Sequence, residues 1–409
     1  PGNLFAALPG EKVDGHSFVG KALDAGAAAC LVTHIPEGET RPLVIVPDVA
    51  KAMGAIAKAY RKTLNIPIIG VTGSVGKTTM KEMIACVLGS RYEVLKTEKN
   101  FNNDLGVPMT VSRINPEHKA AVIELGISHF GEMAGLADIV CPTMAVYTNI
   151  GYSHLEALGD RNGVLKEKSV MLDYMPAIGT VFFNGDDDLL ARYVTRLETV
   201  TFGTEDYCDV RAENISMDGR ETHCDIVCGD RRFPVEIHAY GKHMVTAAVG
   251  AAAIGMSVGL SDADIRAGIA AYAPVGGRAA VEDTGYITLI NDCYNANPDS
   301  MGAALESLSM LPGWKVAILG DMYELGPGSP KMHRAMGEKA AALGVDGVIA
   351  VGALGKDIAA GHGNSLYFET KEALIAELPK LIPQGATVLV KASHGLHLEA
   401  VVEALEELK

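Results

Sequence analysis

The residue types that could do chemistry in this sequence gather where apolar runs end. In IIGVTGSVGKTT, residues 68–79, such a run breaks into Gly73, Ser74, Val75 and Gly76 and closes on Lys77, Thr78 and Thr79. Glycines let a backbone turn its N–H groups toward an anion, and a helix N-terminus adds its dipole, so the stretch predicts a phosphate cradle. Lys77 would reach the terminal phosphates and the Thr78 hydroxyl would meet Mg²⁺. The spacing is the short G-x-x-G-K-T-T; the longer G-x-x-x-x-G-K-[ST] fails because its first glycine falls on Val71. A magnesium nucleotide needs further ligands at neighbouring strand ends. Glu124 closes the run AAVIE, and His154 follows the next one in YTNIGYSHLEALGD. Histidine beside a hard cation is uncommon, which separates this pattern from ordinary kinases and GTPases.

Such loops need strands and helices to hold them. A chain of 409 residues exceeds one typical core, so two or three domains are expected. Hydrophobic residues at 48% with charged residues at 21% exclude wholesale disorder. The net charge of -15 argues against general affinity for nucleic acid or anionic membrane, both of which require a basic surface. Residues 27–32 and 41–48 read as short strands, followed by a helix from 49 with Asp48 as its N-cap. From 66 to 275 near-continuous apolar strands alternate with helices, the pattern of a parallel sheet buried on both faces. Turn dipeptides between 199 and 240 predict an antiparallel insertion or side sheet. A third α/β unit starts near Gly276, with strands at 286–292, 314–321, 347–352 and 386–393. The run AAVGAAAIGMSVGL, residues 247–260, is too short and glycine-rich to span a bilayer and reads as a buried helix. Seven scattered cysteines fit a reducing cytoplasm; His223, Cys224 and Cys228 admit a zinc reading beside the plainer one of a strand or loop. The sequence opens at Pro1 with neither methionine nor signal peptide, and upstream residues are expected.

At this point the residues resemble the Mur ligases, ATP-dependent amide-bond ligases of peptidoglycan synthesis. TGSVGKTT, Glu124 and TNIGYSHLEALG are similar to that family's common core. TEKNFNNDLGVPMT (97–110), NDCYNANPDSM (291–301) and AILGDMYELG (317–326) resemble the member acting on UDP-N-acetylmuramoyl-tripeptide and D-alanyl-D-alanine. The resemblance implies an α/β fold in the three-domain Mur ligase architecture. Residues 1–65 would be a truncated N-terminal UDP-sugar-binding domain, 66–275 a central P-loop ATPase domain, and 276–409 a C-terminal Rossmann-like domain that closes over ATP and delivers the dipeptide. It further implies a cytoplasmic bacterial enzyme, expected as a monomer, using ATP and two Mg²⁺ and forming an acyl phosphate. Nucleic acid and membrane are not expected partners.

Carried over by position, Lys77 and the loop hold the phosphates, Thr78 and Glu124 hold one Mg²⁺, and His154 helps hold a second. Lys168 matches a lysine that is often carbamylated; by the residues alone it reads as a solvated helix charge beside Lys166 and Glu167, and both readings stand. Asn100, Asn102 and Asn103 match the motif facing the UDP-sugar-peptide, and by composition alone they read equally as turn formers and a helix cap. Arg278, Asp292, Asn295 and Asn297 match positions that meet ATP after closure, and Lys391 and His394 match positions on the substrate side. The chain departs from the family pattern at Ala247, where an asparagine is usual, at Val170, where an acid is usual, and in KASH, where His394 replaces an arginine. Another Mur-type ligase, a P-loop kinase and a weakly active homologue are the rival readings, separated by whether phosphate release depends on the amine.

Overall fold

Runs such as Ile68–Thr72 and Ala120–Glu124 show no polar alternation, so both faces need cover, and a parallel sheet between helices supplies it. The computed structural model describes residues 1–10, 12–218, 221–278 and 280–408, which form a three-stranded, a nine-stranded and a six-stranded sheet. The first sheet is parallel: β1 (Leu4–Ala6), β2 (Ala29–Val32) and β3 (Leu43–Ile45), with α1 (Val19–Asp24) between β1 and β2 in the chain. α2 (Val49–Arg61) follows, capped by Asp48, whose carboxylate accepts from Lys51 N at 3.0 Å. α2 packs on the next unit. Ala57 joins that unit's core, and Arg61 donates to the Val140 and Cys141 carbonyls at 2.7 and 2.9 Å.

The second unit runs β4 (Ile68–Thr72), α3 (Lys77–Gly89), β5 (Val94–Lys96), α4 (Gly106–Ser112), β6 (Ala120–Glu124), α5 (Glu132–Val140), β7 (Met144–Tyr147), α6 (Leu155–Leu158), α7 (Arg161–Ser169) and β8 (Thr180–Asn184). It continues through β9 (Glu198–Gly203), β10 (Val210–Asp218), β11 (Glu221–Cys228) and β12 (Arg231–Ile237) to α8 (Lys242–Ser257) and α9 (Asp262–Ala270). The sheet order is β12-β11-β10-β9-β8-β7-β4-β6-β5. The segment expected as an antiparallel insertion or side sheet is continuous with this sheet. β9 and β10 pair in parallel with the run before them, and only β10–β11 and β11–β12 are antiparallel. The reason is packing: Phe202 and Val210 turn into the same core as Val71 and Val146. β11 also turns Cys224 into that core and leaves His223 on the other face, so the two do not converge on a metal.

α3, α8 and α9 cover one face of the sheet, against Ile69, Val71 and Val122; α2, α4 and α5 cover the other, against Ile68, Ala121 and Ile123. The small-residue run is the buried α8, and Gly250 is what lets it close on α3: a Cβ there would stand 2.6 Å from Met80 Cε. Among the described residues no helix is long and apolar enough to cross a membrane. β4 lies between β6 and β7 although β5 follows it in sequence, so the chain reverses across the sheet beside the glycine loop. The carboxyl ends of β4, β6 and β7 therefore border the crevice where α/β sheets take ligands.

The third unit holds β13 (Ala280–Asp283), β14 (Thr288–Asn291), α10 (Pro298–Met310), β15 (Lys315–Gly320), α11 (Ser329–Ala342), β16 (Gly347–Val351), α12 (Gly355–Gly361), β17 (Ser365–Phe368), α13 (Lys371–Leu381), β18 (Thr387–Lys391) and α14 (Glu399–Glu406). Its order is β13-β14-β18-β15-β16-β17, parallel from β14 to β17. Asp292 and Lys391, at the ends of the adjacent β14 and β18, are thereby brought to the same edge as the glycine loop.

Candidate active site

β4 ends at Thr72 and α3 begins at Lys77, leaving Gly73–Gly76 to turn the chain. Gly73 passes so close to the segment after β7 that a Cβ would stand 1.9 Å from Thr148 Oγ1, and Gly76 sits in the left-handed region at φ 78°. The loop hangs on that segment: Ser74 N donates to Asn149 O at 3.0 Å, Val75 N to Asn149 Oδ1 at 2.8 Å, and Thr148 Oγ1 to Val75 O at 2.6 Å. The first N–H groups of α3 have no partner within the helix and are available to an anion. Lys77 Nζ meanwhile donates to the Gly73 and Ser74 carbonyls at 2.8 and 3.2 Å. Desolvation lowers its pKa from the ordinary lysine value, with the Glu124 charge pulling the other way.

Glu124 is 3% exposed, and both of its oxygens are held. Thr78 Oγ1 donates to Oε2 and Asn102 Nδ2 to Oε1, each at 2.9 Å. Lys81 stands 3.9 Å from the same carboxylate while donating to Thr97 O at 2.6 Å. His154, at φ 54°, puts Nδ1 2.5 Å from Glu324 Oε2, a carboxylate of the third unit, but off the line of a regular hydrogen bond. That contact lowers the Glu324 pKa. Lys168 is buried at 1% exposed, and its amine has no hydrogen-bond or ion-pair partner among the described residues. Burial pushes its pKa well below the ordinary lysine value, and the Lys77 charge adds to the shift. The oxygen donors of Thr78 and Glu124 beside a phosphate cradle fit magnesium; the Ser153 hydroxyl and His154 Nδ1, buried without an aligned partner, leave further donors next to them.

From the third unit, Lys391 Nζ stands 2.5 Å from Asp292 Oδ2 and donates to Asn295 O at 2.9 Å. The Arg278 guanidinium lies 3.9 Å over the Tyr294 ring, and Asn297 caps α10 by accepting from Ser300 N at 2.8 Å. These residues and the glycine loop line one cavity of about 1320 Å³. Its far wall is α2 and α5, with Lys51, Gly54 and Gly135. Asn100, Asn102 and Asn103 form another wall, where Asn103 Oδ1 also accepts from Leu105 and Gly106 N–H at 3.3 and 2.9 Å, holding the turn into α4.

Of the residues singled out in the sequence, the cavity thus gathers Ser74 to Thr79, the three asparagines, Glu124, His154, Arg278, Asp292, Asn295, Asn297 and Lys391. Gly73, the first residue of the loop, is not part of the cavity lining. Lys168 is buried outside the cavity wall, and His394 is on the outside, 61% exposed, stacked on Tyr294 at 5.5 Å and 3.3 Å from Glu399. Sequence reasoning missed His243, at the start of α8, which lines the cavity with a buried Nδ1 that has no hydrogen-bond partner among the described residues. Burial lowers its pKa, so the ring favours its neutral form. Its signal was present as the GKH turn between β12 and the small-residue helix.

Comparison with known proteins finds family matches in each of the three units. Family models match at residues 1–61 (Mur ligase family, catalytic domain), 71–255 (Mur ligase middle domain) and 277–394 (Mur ligase, glutamate ligase domain). The chain is 37% identical over 418 residues to the UDP-N-acetylmuramoyl-tripeptide--D-alanyl-D-alanine ligase of Escherichia coli, covering 100% of this chain and 91% of that one. It is likewise 37% identical to the ligase of the same name from Bacillus subtilis, covering 99% and 90%. A crystal structure of MurF from Acinetobacter baumannii superposes with a TM-score of 0.92 at 32% identity over 99% of this chain and 90% of that one. MurF ligase from Thermotoga maritima in complex with ADP superposes at 0.89 with 27% identity, covering 99% and 94%.

Proposed function

The chain belongs to the Mur ligase family, and from that premise we propose that it joins D-alanyl-D-alanine to UDP-N-acetylmuramoyl-tripeptide, driven by ATP, in peptidoglycan synthesis. The observation that carries this reading is the single cavity walled by α2, by the glycine loop and by the ends of β14 and β18. A reaction of three substrates needs three walls at once. The tripeptide carboxylate attacks the γ-phosphorus of ATP, ADP leaves, and an acyl phosphate forms. The amine of D-alanyl-D-alanine then attacks the acyl carbon, inorganic phosphate departs, and the amine gives up a proton.

The protein contributes position and charge neutralisation. Lys77 exchanges the Gly73 and Ser74 carbonyls for the terminal phosphates, joined by the loop N–H groups. Arg278, Asp292, Asn295 and Asn297 serve the nucleotide; Asn100, Asn102, Asn103 and α2 serve the UDP-sugar-peptide. Lys391 faces the dipeptide, and His394 acts from the rim through Tyr294. Thr78, Glu124 and His154 would hold two magnesium ions, which supply neutralisation of phosphate charge. Lys168, whose burial favours the neutral amine, is suited to add CO₂ and lose a proton, becoming a carbamate. The domains are read as 1–65, 66–275 and 276–409, in a cytoplasmic bacterial monomer.

The test is phosphate release from ATP and Mg²⁺ with UDP-N-acetylmuramoyl-tripeptide and D-alanyl-D-alanine added singly and together. Release that requires both, with a product heavier by the dipeptide residue mass, supports the reading. Tight ATP binding without such release in the full-length protein sinks it.

A further inference from the structure

The third unit touches the glycine-loop scaffold through a carboxylate that the reaction above does not use. Asp299 is the second residue of α10, behind the Asn297 cap and Pro298, where the helix dipole favours an anion. Its Oδ2 accepts from Tyr152 N at 2.7 Å, across 147 positions of sequence. The residue before that amide is Gly151, and its missing side chain is what admits the carboxylate: a Cβ there would stand 2.0 Å from Asp299 Oδ2. Gly151 has no positive φ, so space alone selects glycine at this position. Gly151 is in turn tied to the phosphate cradle, its N–H donating to Ser74 Oγ at 2.9 Å and its carbonyl accepting from that hydroxyl at 3.3 Å. Glu324 adds contacts along the same seam, its carbonyl accepting from Glu156 N at 3.1 Å and its Oε2 lying 2.5 Å from His154 Nδ1.

We propose that Asp299 is a positioning residue: a latch that seats in the notch at Gly151, closes the third unit onto the loop after β7, and so sets Arg278 and Lys391 in register with the cradle braced by Ser74. The proposal rests on the ligase reading. The carboxylate enters neither bond-making step; it raises the population of the closed form in which both can occur. A hydrogen bond to a charged acceptor biases such an equilibrium roughly tenfold to a hundredfold.

The experiment makes Asp299→Ala, Asp299→Asn, Gly151→Ala and the double variant D299A/G151A. Small-angle X-ray scattering is recorded with Mg²⁺ and a nonhydrolysable ATP analogue, and kcat and KM are measured with all substrates. Asp299→Ala should shift the scattering to a more open form and lower kcat about tenfold, leaving KM for the UDP-sugar-peptide unchanged because its walls are in the first and second units. Asp299→Asn, which keeps an acceptor oxygen, should recover most of the rate. Gly151→Ala should resemble Asp299→Ala, and the double variant should be no worse than either, since both remove one contact. Losses that multiply in the double variant, or scattering and kcat unchanged in Asp299→Ala, overturn the latch. If Asp299→Ala fails to fold, Gly151→Ala reads the same contact from the other side. Scattering needs no turnover, so a wild-type protein that closes on the analogue yet forms no ligated product counts against the ligase reading alone.

Discussion

Lys168 in the second unit and Lys391 in the third are both at 2% exposure or less, and the two side chains have opposite surroundings. Lys391, at the end of β18, meets the Asp292 carboxylate at 2.5 Å and the Asn295 carbonyl at 2.9 Å. Lys168, near the end of α7, has no such partner among the described residues, and burial drives its pKa well down. A buried ammonium with partners is a fixed charge, and it holds the β14 and β18 ends together. A buried amine without them is costly as a cation and is kept where its neutral form can react. The contrast gives Lys391 a structural part beside the dipeptide contact proposed for it, and it supports the carbamate proposed for Lys168, although both are the same residue type at the same depth.

The sharpest way to break the contrast is Lys168→Met. It should lower kcat about a thousandfold, the scale of losing one preorganised group at a charged transition state, without lowering the melting temperature. Near-native activity would place Lys168 among the structural residues. Next, Lys391→Met removes the ammonium that joins Asp292 to the Asn295 carbonyl and should cost about 1.5–3 kcal/mol, the scale of a hydrogen bond to a charged group, read by denaturant unfolding. Stability equal to wild type would remove the distinction from the other side. A smaller effect concerns pH. The native Lys168 pKa lies below its unfolded value, so the unfolded chain binds more protons and stability rises with pH from the native pKa up to the unfolded one, near the ordinary lysine range. In CO₂-free buffer the wild type should therefore gain stability, as pH rises toward the ordinary lysine range, more steeply than Lys168→Met, and parallel curves would contradict the shift. The smallest effect is expected for His394→Ala. An exposed ring outside the cavity should change stability by less than about 0.5 kcal/mol, and a large rise in dipeptide KM would move His394 from the rim into the site.

Much of this site was legible as punctuation: apolar strands ending in Gly73, Glu124 or the turn before His154 announce themselves because burial forces the run and chemistry interrupts it. The N-cap at Asp48 and the buried α8 were legible for the same local reasons. What the sequence hid is pairing at a distance. β9 and β10 look like the start of an insertion because turn residues separate them, yet side-by-side parallel pairing, set by Phe202 and Val210 in a shared core, makes them part of the main sheet. His243 was passed over because a single histidine beside a small-residue helix has no period or partner in sequence. Asp299 was not singled out within NDCYNANPDSM, since nothing near it announces the Tyr152 amide.

The docking of α2 on α5 carries a consequence for how the molecule comes apart. The residues before the glycine loop do not form one cooperative block: Ala57 and Arg61 belong energetically to the second sheet, whereas β1 and β3 are strands of three residues each in a small core of their own. In native-state hydrogen exchange the amides of α2 should stay protected as long as those of β4 and α5, while β1 and β3 exchange earlier. The first unit would then loosen around a helix that remains in place, so that the wall α2 gives the cavity outlasts the sheet it follows in the chain.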